Sequence, residues 1–143
     1  MNKPGISMSA LPVRRRALML VNPNARRGTA ALDPVVDHLR AGGVDAVIER
    51  FDSPGEVSAD IARRRHEADL VIVCGGDGTI NSAARGVLET GLPMGIMPMG
   101  TANDLARTLS IPDDLLKAAD VILAGHLNRV DLGEVNGHPF FNV

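Results

Sequence analysis

Aromatic side chains are nearly missing from this sequence: three phenylalanines, no tyrosine and no tryptophan in 143 residues. Without them the chain has little to stack bases on, which disfavours a single-stranded nucleic-acid binder. Charge imbalance is missing too. The formal net charge is −2, so nothing in the overall balance steers the protein toward a polyanion, and nucleic acid is not an expected partner. The lone cysteine, Cys74, excludes an internal disulfide. It ends an apolar run, where a buried structural thiol is the natural reading, and a reducing, cytoplasmic setting is compatible with it. No apolar stretch approaches the about 20 residues of a membrane span. Arg14-Arg15-Arg16 ahead of Ala17–Val21 imitates a secretory leader, but the apolar part is short and Asn22-Pro23 closes it without a small-residue cleavage site. There is no G-x-x-x-x-G-K-[ST] loop, which sets an ordinary P-loop kinase aside. His38, His66, His126 and His138 lack the spacing of metal ligands.

What is present is a chain that is 45% hydrophobic, enough for one domain with its own core. Residues 1–15 read as a flexible tail and residues 16–143 as the folded domain. Ala17–Val21, Val44–Phe51, Asp69–Cys74 and Met94–Met97 are strand candidates, the third nearly all apolar, as a strand covered on both faces should be. Helices are expected over Thr29–Arg40 (its regular part opening near Asp33, with Pro34 in the first turn), from Ser53–Glu56 to about Glu67, over Ile80–Glu89, and from Asp113-Asp114 to about Ala124. On the last of these, Leu115, Leu116, Ala119, Ile122 and Leu123 form the apolar face. Gly100–Leu109 reads as a turn with a short helix. Arg129–Val135 and His138–Val143 read as strands joined at Asn136-Gly137, a two-residue hairpin signal. Strands that alternate with helices across short loops predict an α/β fold, a three-layer parallel sheet flanked by helices.

Such sheets bind ligands beyond the carboxyl ends of their strands. Three unusual loops each follow a strand and so should open on that one edge: Asn22–Gly28, Gly75–Thr79 and Pro98–Asn103. In the second, Gly75, Gly76 and Gly78 remove side chains, so backbone N–H groups can point at an anion in front of a helix N-terminus. Thr79 could cap that helix or bond a phosphate oxygen. Asp77 is the odd member. A bare carboxylate repels phosphate, so the pair makes chemical sense with a cation such as Mg²⁺ between them. Metal organiser, general base and a simple cap in a tight turn all stay open for Asp77. In Pro98-Met99-Gly100-Thr101-Ala102-Asn103-Asp104-Leu105-Ala106, Gly100 permits close approach, Thr101 offers a hydroxyl, and Asn103 or Asp104 could cap the short helix. Arg26 and Arg27 could meet phosphate or solvent. The clusters Arg14–Arg16 and Arg63–Arg65 fit a solvated face better than a lipid contact.

Asn22-Pro23, then Gly75-Gly76-Asp77-Gly78-Thr79, then Pro98-x-Gly100-Thr101-x-Asn103-Asp104-Leu105-Ala106 stand in this order and at suitable spacing. Together they resemble the catalytic domain of the diacylglycerol kinase-like lipid kinases, a family that includes sphingosine kinases. NAD kinases and phosphofructokinases carry loops similar to the glycine loop alone; the later segment is what favours the lipid kinases. The resemblance covers about residues 16–143. It implies the NAD kinase/diacylglycerol kinase-like N-terminal fold and ATP- and Mg²⁺-dependent phosphorylation of a lipid hydroxyl, with Asp77 as the catalytic and metal-organising residue. It also implies that Gly75, Gly76, Asp77, Gly78, Thr79, Ile80 and Asn81 cradle the nucleotide phosphates, that Gly100 and Thr101 meet the nucleotide, and that Asn22 supports the same cleft. Asp77→Ala is expected to abolish activity and leave the fold intact. Two positions depart from the family pattern: Phe51 stands where a nucleotide-contacting threonine is usual, and Ala25-Arg26 where Ser-Gly is usual.

The resemblance further implies a second, β-rich domain that closes the cleft and supplies a base, further metal ligands and the lipid site. These 143 residues end at Phe140-Phe141-Asn142-Val143, in a strand that would lead into it. The expectation is therefore the ATP-binding half of a lipid kinase, acting on a lipid at a membrane surface. The alternatives are an NAD kinase-like enzyme and an inactive nucleotide-binding fragment. An unpaired last strand makes a homodimer compatible with the sequence.

Overall fold

The computed structural model describes residues 14–24 and 28–142. The expected tail before Arg14 and the pair Arg26 and Arg27 lie outside the described residues. Strands β1 (Arg15–Val21), β2 (Val44–Arg50), β3 (Leu70–Gly75) and β4 (Met94–Pro98) form one parallel sheet in the order β2-β1-β3-β4. Between and after them lie α1 (Asp33–Ala41), α2 (Glu56–Arg63), α3 (Asp77–Ser82), α4 (Ala84–Thr90), α5 (Asp104–Thr108) and α6 (Leu115–Ala124). A hairpin of β5 (Asp131–Val135) and β6 (His138–Asn142) ends the described chain.

The sheet separates two cores, and the strand sequences show why. From β1, Ala17, Met19 and Val21 enter one core with Leu70, Ile72 and Cys74 of β3, against α1 and α6. Leu18 and Leu20 enter the other, with Val71 and Val73, against α2 and α3. A central parallel strand is apolar at every position because both its faces are covered, and each fully buried side chain of this size contributes about 1.5–3 kcal/mol. The edge strand β2 is less demanding: Val44 is buried, but Val47 is 56% exposed. The α/β expectation is met, layer by layer.

Helix boundaries needed correction at several points. A 3₁₀ turn, Thr29–Leu32, leads into α1, whose regular part starts at Asp33 with Pro34 in its first turn, as expected. Gly42 ends it, and a Cβ there would meet the Leu123 side chain at 2.6 Å, so the glycine lets α6 pack. The expected single helix Ile80–Glu89 begins earlier, at Asp77, and is broken at Ala83 into α3 and α4. Ser58 of α2 patches the break: its Oγ donates to Ser82 O at 2.6 Å and accepts from Gly86 N at 2.9 Å. On α6 the buried residues are Leu115, Ala118 and Ala119, with Ile122 and Leu123 packed beside them, whereas Leu116 is 43% exposed. Leu116 sits about 100° round the helix from Leu115, past the edge of the apolar stripe. Helix α2 ends at Arg63 rather than near Glu67. The next residue, Arg64, turns to pair with Glu49 and Glu67.

The hairpin forms at Asn136-Gly137, with φ of 50° and 78°, the left-handed pair a two-residue turn requires. It docks on α3 and α4. Phe141 packs against the second core, its N–H donates to Asn81 Oδ1 at 2.8 Å, and the Arg85 guanidinium donates to Gly137 O. No helix among the described residues is long and apolar enough to cross a membrane.

Candidate functional site

Strand order reverses between β1 and β3: the chain leaves β1 for β2 on one side and later adds β3 and β4 on the other. The carboxyl edge of the sheet at such a switch point is where α/β proteins bind ligands. All three expected loops lead off that edge. Asn22 N donates to Cys74 O at 3.4 Å, joining the first loop to β3, and Asn22 Oδ1 accepts from Asn24 N at 2.9 Å in a local turn. Met99 N donates to Gly75 O at 2.9 Å, joining the second loop to the third.

Gly76 and Gly100 touch backbone to backbone. A Cβ on Gly100 would lie 2.4 Å from Gly76 Cα, and one on Gly76 would lie 3.1 Å from Gly100 Cα. Gly75 is pressed by Thr79, whose side chain would stand 2.8 Å from an added Cβ. Gly78 is different. It is exposed, its φ is not positive, and a Cβ there would meet nothing within 4 Å. The fold itself therefore places no demand on Gly78. Helix α3 has no side-chain cap at Gly76, and the amides of its first turn, Asp77 to Thr79, have no partner within the helix.

Asp77 reaches across to the end of the third loop. Its Oδ2 accepts from Asp104 N and its Oδ1 from Leu105 N, both at 2.9 Å. It is a cap after all, though of α5 rather than of its own helix. Asp77 ties the two loops together, so its removal is expected to cost stability as well as to alter the site. Hydrogen bonds to a charged acceptor contribute about 1.5–3 kcal/mol each. Asn103, N-terminal to α5, makes no cap bond; its side chain turns back to Gly100 instead.

Some expected site residues face elsewhere. Ile80 is fully buried in the second core, its N–H bonded to Gly76 O, so it brings no polar group to the edge. Asn81 spends both ends of its amide inside the protein: Nδ2 donates to Asp77 O at 3.2 Å and Oδ1 accepts from Phe141 N. Thr79 lies within α3, 6% exposed, and is not its cap. Thr101 is exposed beside half-buried Gly100. Phe51 is 2% exposed and belongs to the second core, which accounts for its place after β2. Burial pushes the Cys74 thiol far up, consistent with a structural role. Most of the basic clusters is held by neighbours: Arg14 by Asp45, Arg16 by Asp69, Arg63 by Asp60, and Arg64 by Glu49 and Glu67. The sequence signals missed were Asp77's grip on α5 and the Asn103–Gly100 bridge, which pairing of side chain with backbone across loops leaves unwritten in any local pattern.

Comparison with known proteins gives this edge a context. Residues 16–135 match the diacylglycerol kinase catalytic domain. A diacylglycerol kinase of Staphylococcus saprophyticus is 35% identical over 136 residues, covering 92% of this chain and 45% of the relative. One from Staphylococcus aureus is 34% identical, covering 92% and 43%. A crystal structure of a diacylglycerol kinase from Bacillus anthracis superposes with a TM-score of 0.76 at 32% identity, over 89% of this chain and 44% of that one. The chain thus spans a little under half the length of these relatives. With the match running from β1 through β5 and taking in all three loops, the chain belongs to the diacylglycerol kinase catalytic domain family.

Proposed function

We propose that this chain is the nucleotide-binding part of an ATP- and Mg²⁺-dependent lipid kinase, with diacylglycerol or a related lipid alcohol as acceptor. The observation that carries the proposal is Gly78: a glycine that neither backbone angle nor packing requires, exposed at the first turn of α3, whose amides have no partner within the helix. A site that must admit phosphate oxygens against the backbone has that property. Gly76 and Gly100, in contact, hold the two loops at one height, and the exposed Thr101 stands next to them with its hydroxyl.

The residues fit Mg·ATP as a donor set. Backbone N–H groups of Asp77, Gly78 and Thr79 would receive phosphate oxygens. Asp77 has one hydrogen bond on each oxygen, which leaves lone pairs for a metal-bound water. The same two bonds favour Asp77 as an organiser of charge over Asp77 as a general base. Bound Mg²⁺ would supply neutralisation of the charge on the transferring phosphoryl group. Among the described residues no group of three His, Cys, Asp or Glu side chains converges. One carboxylate with substrate phosphates and water is an ordinary way to hold Mg²⁺, so Asp77 is the residue that would hold it here.

The test has two arms. Calorimetry of the chain with Mg·ATP should show binding, and its absence refutes the nucleotide reading. Labelled ATP with Mg²⁺ is then offered to a version extended to the length of the relatives, with diacylglycerol micelles in one reaction and NAD in another. Label in the lipid supports the proposal. Label in NAD, the product of the alternative NAD kinase-like activity, overturns it.

A further inference from the structure

The third loop contains a buried polar residue that the nucleotide reading does not use. Asn103 is 8% exposed and holds a left-handed backbone, with φ 52° and ψ 45°. Glycine is the default residue for that conformation; asparagine is the side chain that tolerates it next best. What asparagine adds is its amide head. Oδ1 accepts from Gly100 N at 2.9 Å, and Nδ2 donates to Gly100 O at 3.1 Å. One side chain thus satisfies both polar backbone groups of a single residue. A planar amide with a donor and an acceptor side by side is suited to this. Aspartate lacks the donor.

Gly100 is also the residue in contact with Gly76. We propose that Asn103 is a positioning residue for the nucleotide site: by bridging Gly100 it fixes the height of the third loop against the glycine loop, and with it the placement of Thr101. The inference rests on the nucleotide reading above. It also revises the part assigned to Gly100, whose own N–H is taken by Asn103 and is not free for a phosphate. What this loop offers at the edge is Thr101 and Ala102, both exposed. Asp77 holds the following turn by the amides of Asp104 and Leu105, so the segment is pinned on both sides of Asn103.

Asn103→Gly separates the side chain from the backbone strain, because it keeps the left-handed conformation and deletes only the bridge. The experiment is calorimetric titration of the full chain with Mg·ATP, at a temperature where circular dichroism shows wild type and variants fully folded. Asn103→Gly should bind about tenfold more weakly, the equivalent of one net hydrogen bond's positioning energy, with helix content unchanged. A purely structural role would leave affinity of the folded protein untouched, so wild-type affinity in Asn103→Gly overturns the inference and leaves the nucleotide reading standing. Failure of wild type itself to bind overturns both. If Asn103→Gly does not fold, Asn103→Asp replaces it. It keeps the acceptor for Gly100 N–H and sets an oxygen against Gly100 O, so about tenfold weaker binding is again expected, and wild-type affinity again refutes the role.

Discussion

Gly78→Ala should make the protein more stable and a poorer nucleotide binder, and the two effects have separate sources. Gly78 is the second residue of α3, with open space around the position of a Cβ and no positive φ. Replacing glycine by alanine in a helix removes unfolded-state entropy worth about 0.5–1 kcal/mol. For a domain of this size that raises the melting temperature by about 2–4 °C. On the proposed nucleotide reading, the same methyl group would take up space that phosphate needs beside the α3 amides. A methyl forced into a fitted contact costs about 1–3 kcal/mol, a loss of roughly 5- to 150-fold in affinity. Urea or thermal unfolding reads the first effect and calorimetry with Mg·ATP the second. Gly76→Ala is the control: its Cβ would lie 3.1 Å from Gly100 Cα, so it should lose stability and binding together. A Gly78→Ala protein that binds Mg·ATP like wild type would show that phosphate does not approach this glycine. A less stable one would show that the space is not open.

Two further outcomes are expected. Asp77→Ala removes the acceptor for Asp104 and Leu105 amides, so it should lower stability by about 2–4 kcal/mol, less than the nominal sum of two such bonds because water can reach the freed Asp104 amide, as well as activity; unfolding in urea with an unchanged midpoint would contradict the loop-tying role. Asp69 is held below its ordinary 3.8 by the Arg16 backbone N–H first and by the Arg16 side chain after it. The unfolded chain therefore binds a proton more readily, and this contribution is fully present above the unfolded value and lost as pH falls through the folded one. The stability difference between wild type and Asp69→Asn should be constant from about pH 7 to 5 and shrink below about pH 4; it should stay under about 1 kcal/mol because the pair is exposed. A difference that grows on acidification would reverse the assignment.

The sheet was legible because its signals are local. A run such as Leu70–Cys74 has no polar position to hide, and the Asn136-Gly137 pair names its own turn. The edge the three loops share followed from each of them succeeding a strand of a parallel sheet. Helix ends were less legible. The break at Ala83 depends on Ser58, twenty-four residues away from Ser82 in sequence, and no periodicity in Ile80–Glu89 could reveal it. The site shows the same division. Gly76 and Gly100 have the residue type that permits close approach, and in the structure they approach each other. Ile80 and Asn81 came with the glycine loop by adjacency, and helical geometry turns one into the core and the other toward the hairpin. The use of Asp77 by α5 is a tertiary fact, invisible until the two loops are brought side by side.

The order β2-β1-β3-β4 also sets a schedule for synthesis. β1 leaves the ribosome before both of its partners, yet it is internal to the sheet, with β2 on one side and β3 on the other. Its last residue, Val21, pairs with Arg50 and with Cys74. At common elongation rates of about 5–20 residues per second, its second partner follows roughly 3–11 s later. For that interval Ala17–Val21, fully apolar and with one edge unpaired, is the segment of the nascent chain most in need of protection from other strands.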